Sequence, residues 1–261
     1  MSASHSPCFP TPPVSSEDWL ERFRINASTP DRIFWVDGPT LSPAERMAVS
    51  SSIREFQLGE SSEGRHLQSA ADCYALATGD AAYATTIRLF IREEQAHAAY
   101  LARLLTAEGV ALKSRTWADS VFRKLRHLGG LETAISVLLT AEIIAQVYYL
   151  ALRRATGSRV LRAICRRILA DEAAHVRFQA ERLAILRRHR GSTRLTLSLF
   201  LQRLLFALAL AVVWRNHAGV LRRGGLRPFD FWRAGWRAFE RAAEQMDPRR
   251  YNWNGGLDSA A

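Results

Sequence analysis

Two segments of this chain are spaced too regularly to be independent. Glu93-Glu94-Gln95-Ala96-His97 and Asp171-Glu172-Ala173-Ala174-His175 each read acid-Glu-x-x-His. Glu94 lies fifteen residues after Gly79, and Glu172 lies fifteen after Gly157. The two segments therefore repeat with a shift of 78, and Tyr100 matches Phe178. On a helix, residues three apart share a face, so each Glu and His can address one metal ion together. A single Glu-x-x-His carries little weight, and Glu63-Gly64-Arg65-His66 is a third example. The common register is what matters, because repeated hairpins bring equivalent residues to equivalent heights.

The helical period dominates from residue 43 onward, and no alternating strand pattern of useful length occurs. Ser42-Pro43 supplies an N-cap followed by proline at the first helical position. The pattern predicts helices over about 43–77, 80–108, 131–155 and 159–190, broken at Thr78-Gly79-Asp80, at Gly109 and at Thr156-Gly157-Ser158. Tight turns make the first pair and the second pair antiparallel hairpins. The irregular link over 109–130 is long enough to run the length of a bundle, since extended chain covers about 3.3 Å per residue.

A metal pair also needs carboxylates from the facing helices. A residue fifteen before a hairpin turn faces one fifteen after it. In the second hairpin that position is Glu142, an acid inside the apolar run Leu139 to Ala145. An unpaired carboxylate there would cost several kcal/mol. In the first hairpin the count falls on Gly64. Glu63 is adjacent and is preferred; Glu60, one turn earlier on the same face, is the competing candidate.

The order Glu, Glu-x-x-His, Glu, Glu-x-x-His over residues 43–190 resembles the ferritin-like di-iron carboxylate superfamily, which includes rubrerythrins, bacterial multicomponent monooxygenases and ribonucleotide reductase small subunits. The resemblance implies an all-α, ferritin-like four-helix bundle made of two hairpins and a long crossover, with extra C-terminal helices. It implies Glu63 (or Glu60), Glu94, His97, Glu142, Glu172 and His175 as ligands of two iron ions, with manganese or a mixed pair also accepted by this ligand set. Glu93 and Asp171 resemble the outer acids that hydrogen-bond ligand histidines. The activity implied is oxidoreductase chemistry: dioxygen-dependent oxidation of a small organic molecule, with a possible electron-donor protein. Ferroxidase or peroxide-detoxifying activity, and a non-catalytic helical binding protein, are the alternatives. No CxxC module follows the bundle, which departs from a complete rubrerythrin.

Three regions follow: a largely flexible, Pro- and Ser-rich tail over 1–42, the metal-binding four-helix unit over 43–190, and a basic, Trp-rich helical extension over 191–261. The three cysteines form no CxxC pair and the first residues lack an apolar signal core, so a cytoplasmic, reducing setting is expected. Residues 1–110 carry nine Arg against fourteen Asp and Glu, a balance of −5. Residues 111–261 carry twenty-seven Lys and Arg against eleven acids, a balance of +16. That asymmetry fits an anionic membrane surface or an acidic partner. No nucleic-acid signature accompanies it. Leu195 to Trp214 is almost wholly apolar and long enough to span a bilayer, but Gln202 and Arg203 interrupt it. It reads as a buried packing helix, a membrane-surface helix or a spanning one, in that order. Pro228 to Met246 reads as an amphipathic helix, followed by a loose end.

Overall fold

The structure, a computed structural model, describes residues 12–61, 64–114, 124–125 and 129–253. Among these it is all-helical: α1 (Ser16–Ser28), α2 (Pro43–Glu60), α3 (Arg65–Thr78), α4 (Ala81–Ala107), α5 (Leu131–Ala155), α6 (Arg159–Arg187), α7 (Ser192–Arg223) and α8 (Pro228–Met246), then a 3-10 turn at Pro248–Arg250. Most of the 109–130 link lies outside the described residues.

The helix starts follow local chemistry. Ser42 and Glu45 form a capping box at α2, with Pro43 as its first residue. Asp80 accepts from the Tyr83 amide at α4, and Ser158 accepts from Leu161 at α6. Helix α4 packs on α2, α3 and α6, and α5 packs along α6. Tyr83, Phe90, Leu101, Ile143, Tyr148, Tyr149 and Phe178 are fully buried between them.

Two expectations need correction. The stretch 43–77 is not one helix. It breaks after Glu60, and Gly64 takes the left-handed conformation, φ +66°, before α3 begins. A side chain at Gly64 would come within 2.6 Å of Ile91 on α4, so the break is also a close approach of two helices. Nor is 1–42 loose throughout. Residues 16–28 form α1, capped by Ser15, and bury Trp19 and Phe23 one turn apart. Trp19 donates its indole N–H to Glu181 at 2.9 Å, and Arg182 reaches Ser16 at 2.6 Å. Helix α1 thus lies along α4 and closes one side of the core.

Helix α7 is longer than the apolar run suggests. The two polar residues in its middle each find an arginine or glutamate partner within the protein. Gln202 is buried and accepts from Arg187 at 3.2 Å, while Arg203 pairs with Glu240 of α8 at 2.9 Å. Phe206 of α7 packs on Trp236 and Phe239 of α8. Past α8, Tyr251 and Trp253 are hydrogen-bonded back to Gln245 and Pro248.

His217 joins α7 to α2. Its Nδ1 lies 2.8 Å from the Ser52 hydroxyl, which shares a second hydrogen bond with Tyr148. Burial lowers the His217 pKa from 6.5 to about 4, with Glu55 opposing and Lys113 assisting. A histidine held neutral by the fold loses stability as pH falls, because the unfolded chain takes up the proton first. We expect the unfolding free energy to drop by roughly 3 kcal/mol between pH 6.5 and 4 through this residue. Urea denaturation across that range should show a shallower acid limb for His217→Gln; an unchanged limb would assign the effect elsewhere.

Candidate metal centre

Four elements converge on one buried cluster. Glu60 is the last residue of α2, Glu94 and His97 lie on α4, Glu142 on α5, and Glu172 and His175 on α6. Ligand atoms of Glu60, Glu94, His97 and Glu172 lie within 4.8 Å of one another, and so do those of Glu94, Glu142 and His175. Glu94 belongs to both groups. His97 Nδ1 is 3.7 Å from Glu94, 3.9 Å from Glu60 and 4.0 Å from Glu172; His175 Nδ1 is 3.2 Å from Glu94.

The register argument places Glu94, His97, Glu142, Glu172 and His175 together, as the structure does. Glu63 lies outside the described residues, and it is Glu60 that enters the cluster. Counting back from Gly79 assumed unbroken helix. Helix α2 ends at Glu60 and Gly64 is left-handed, so the helical phase is not carried through, and the residue closing α2 faces inward. Glu60 is held there by Tyr149, whose hydroxyl donates to Oε1 at 2.7 Å. Gln179 similarly donates to Glu142 at 2.5 Å.

The outer acids act crosswise. Asp171 of α6 meets Nε2 of His97 on α4 at 2.9 Å, and Glu93 of α4 meets Nε2 of His175 on α6 at 2.8 Å. A carboxylate can only accept, so each Nε2 keeps a proton, and each Nδ1 faces the cluster, where it offers a lone pair once its own proton is displaced. Both Nδ1 atoms are buried without a hydrogen-bond partner. So are Glu94 Oε1, Glu142 Oε2 and Glu172 Oε2. Buried polar atoms are rarely left this way, and five orphans pointing at one volume form a donor set that could hold a cation.

The electrostatics agree. Burial pushes Glu142 and Glu172 well above the usual carboxylate range, and burial with the Glu94 charge raises Glu60. Burial also works against Glu94, but His175 and His97 outweigh it and hold its pKa low. Burial resists charging His97, but Asp171 and Glu60 drive its pKa up to about 9. Without a cation, this many acids in a dry core are tolerated only through shared protons. The cluster can therefore hold a metal ion through carboxylate oxygen and imidazole nitrogen, with protons displaced on binding.

Asn26, which the sequence reading missed, holds the two outer acids together. Its amide donates to Glu93 at 2.6 Å and to Asp171 at 2.9 Å, and its carbonyl accepts from Arg167 at 3.1 Å. Phe23, one turn earlier, stacks on His175 with the rings 6° from parallel, and Phe90 meets the same ring edge-on. The signal was the stripe Trp19, Phe23, Asn26 behind a Ser15 cap, at helical spacing. Asn26→Leu should weaken divalent-metal affinity about 10- to 100-fold, the usual effect of losing an outer support. Competition against a fluorescent chelator measures this, and unchanged affinity would mean the acids orient the imidazoles without Asn26.

Comparison of the chain with protein-family models, with curated proteins and with solved structures returned no match.

Proposed function

We propose that this protein is a ferritin-like di-iron carboxylate oxidoreductase that uses dioxygen to oxidise an organic substrate. The observation that carries the reading is the pair of inward Nδ1 atoms, each fixed by an acid behind it and facing shared carboxylates. Glu60, His97 and Glu172 would hold one ion, Glu142 and His175 the other, and Glu94 both. Four carboxylates and two neutral imidazoles balance two divalent cations in charge, which suits a dry site. Iron fits oxygen and nitrogen donors without thiolate, as does manganese. Two ferrous ions held together would supply two electrons for dioxygen chemistry.

The protein's own part is positional. Asp171 and Glu93 fix the imidazole tautomers. Tyr149 and Gln179 orient Glu60 and Glu142. Phe23 and Phe90 keep water from the His175 ring. The test is anaerobic ferrous loading, metal analysis, then oxygen exposure followed by absorption and oxygen uptake. Two iron per chain and a new near-ultraviolet band on oxygenation are expected. Oxygen uptake that scales only with added ferrous ion, with no oxidised organic product, would make iron itself the substrate. Failure to retain metal would end the proposal.

A further inference from the structure

We propose that the outward face of α7 docks the protein on an anionic lipid bilayer, with the helix lying along the surface. Leu197, Phe200, Leu201, Leu204 and Leu208 are between 49% and 61% exposed. At 100° per residue, 197, 201, 204 and 208 fall in one stripe, about 17 Å long at the helical rise, with Phe200 beside it. Isolated exposed leucines are ordinary; a continuous stripe of this kind marks an interaction surface.

The ends of the stripe show what covers it. Continuing the same face backward meets Arg194, and continuing it forward meets Arg215 and Arg222. Arg194 and Arg215 are exposed and make no ion pair among the described residues. Between Glu181 and Asp230 the chain holds ten arginines and no acidic residue. An apolar centre with cationic ends is complementary to acyl chains under a layer of phosphate groups. A second copy is a poor occupant. Either two-fold pairing of this face would bring arginine against arginine, with no carboxylate on α7 to offset it.

Only 22% of the most apolar stretch of α7 is buried, but spanning would strip the contacts its opposite face makes with the protein. Phe206, Leu210 and Leu221 are fully buried against the rest of the protein, and His217 is tied to Ser52 of α2. Lipid cannot surround a helix whose back is in the core. Helix α5, the other one apolar and long enough to cross a membrane, is mostly buried and forms part of that core.

The inference is independent of the metal centre and is tested on the full chain by co-sedimentation. Equimolar phosphatidylglycerol and phosphatidylcholine vesicles should pellet the protein at least about tenfold better than phosphatidylcholine alone, and added salt should reduce the difference. L201E/L204E should abolish pelleting, and R194E/R215E should weaken it about tenfold or more. All four positions are exposed, so circular dichroism and metal content should stay as in the parent. No pelleting by the parent, or equal pelleting by L201E/L204E, overturns the proposal. A parent dimer in sedimentation velocity that L201E/L204E dissociates, without vesicle binding, would give the face to a second copy and overturn it as well.

Discussion

On the proposed two-ion reading of the cluster, Glu94→Ala is expected to abolish binding of both ions, whereas Glu142→Ala should cost only one. Glu94 is shared by the two ligand groups; Glu142 belongs to one. Its Oε1 lies 3.2 Å from Nδ1 of His175 and 3.7 Å from Nδ1 of His97, and it is buried without a hydrogen bond of its own. Removing it leaves each half short of an anionic donor and removes the charge that both imidazoles face. Removing Glu142 leaves Glu60, Glu94, His97 and Glu172 as a complete set for one ion. After anaerobic ferrous loading and desalting, metal per chain should fall from about two to below half an equivalent in the first variant and to about one in the second, a loss larger than the 10- to 100-fold affinity change of an outer residue. Both variants should keep the parent's circular dichroism. If Glu94→Ala retains two equivalents, Glu94 does not bridge, and the two groups are independent sites or none.

Much of this centre was readable without coordinates because it obeys a simple count. Glu94, His97, Glu142, Glu172 and His175 sit at fixed offsets from Gly79 and Gly157, and straight helices on both sides of a tight turn convert offset into height. The count assumes a continuous helix, and α2 ends at Glu60. Leu58-Gly59-Glu60-Ser61-Ser62-Glu63-Gly64 holds two glycines and two serines, and that weakness was the available sign that Glu60 closes one helix before another begins. Asn26 and Phe23 were harder to find, since the Pro- and Ser-rich residues ahead of them hide a helix only thirteen residues long. For α7, hydropathy alone could not say which face is covered. That depends on Arg187 reaching Gln202 and on Phe206 meeting α8, contacts made across the fold and absent from any local pattern.

A cluster that could hold a cation should be a burden on the empty protein, and Glu172 is where this is most open to measurement. Its carboxyl is 1% exposed, its Oε2 has no hydrogen bond, and burial together with the charges of Glu94 and Glu142 raises its pKa well above normal. Glu172→Met keeps the length, removes the charge and leaves no donor stranded. In the metal-free protein at pH 7 it should raise the unfolding free energy by about 1–4 kcal/mol, the range seen when buried ionic groups give way to apolar ones. The sign with pH is fixed. A carboxyl whose folded pKa is raised holds its proton longer in the fold, so it weakens the fold as pH climbs above the unfolded value near 4.5. The advantage of the variant should therefore be small at pH 4.5 and widen toward neutrality in urea melts of metal-free protein. Adding ferrous ion should reverse the order, because the parent gains the free energy of binding and the variant loses a ligand. Glu142→Met should gain less, since Gln179 would lose its acceptor. A variant less stable than the parent in both states would mean that Glu172 supports the fold directly, which would leave its burial among three other carboxyls without a metal to explain it.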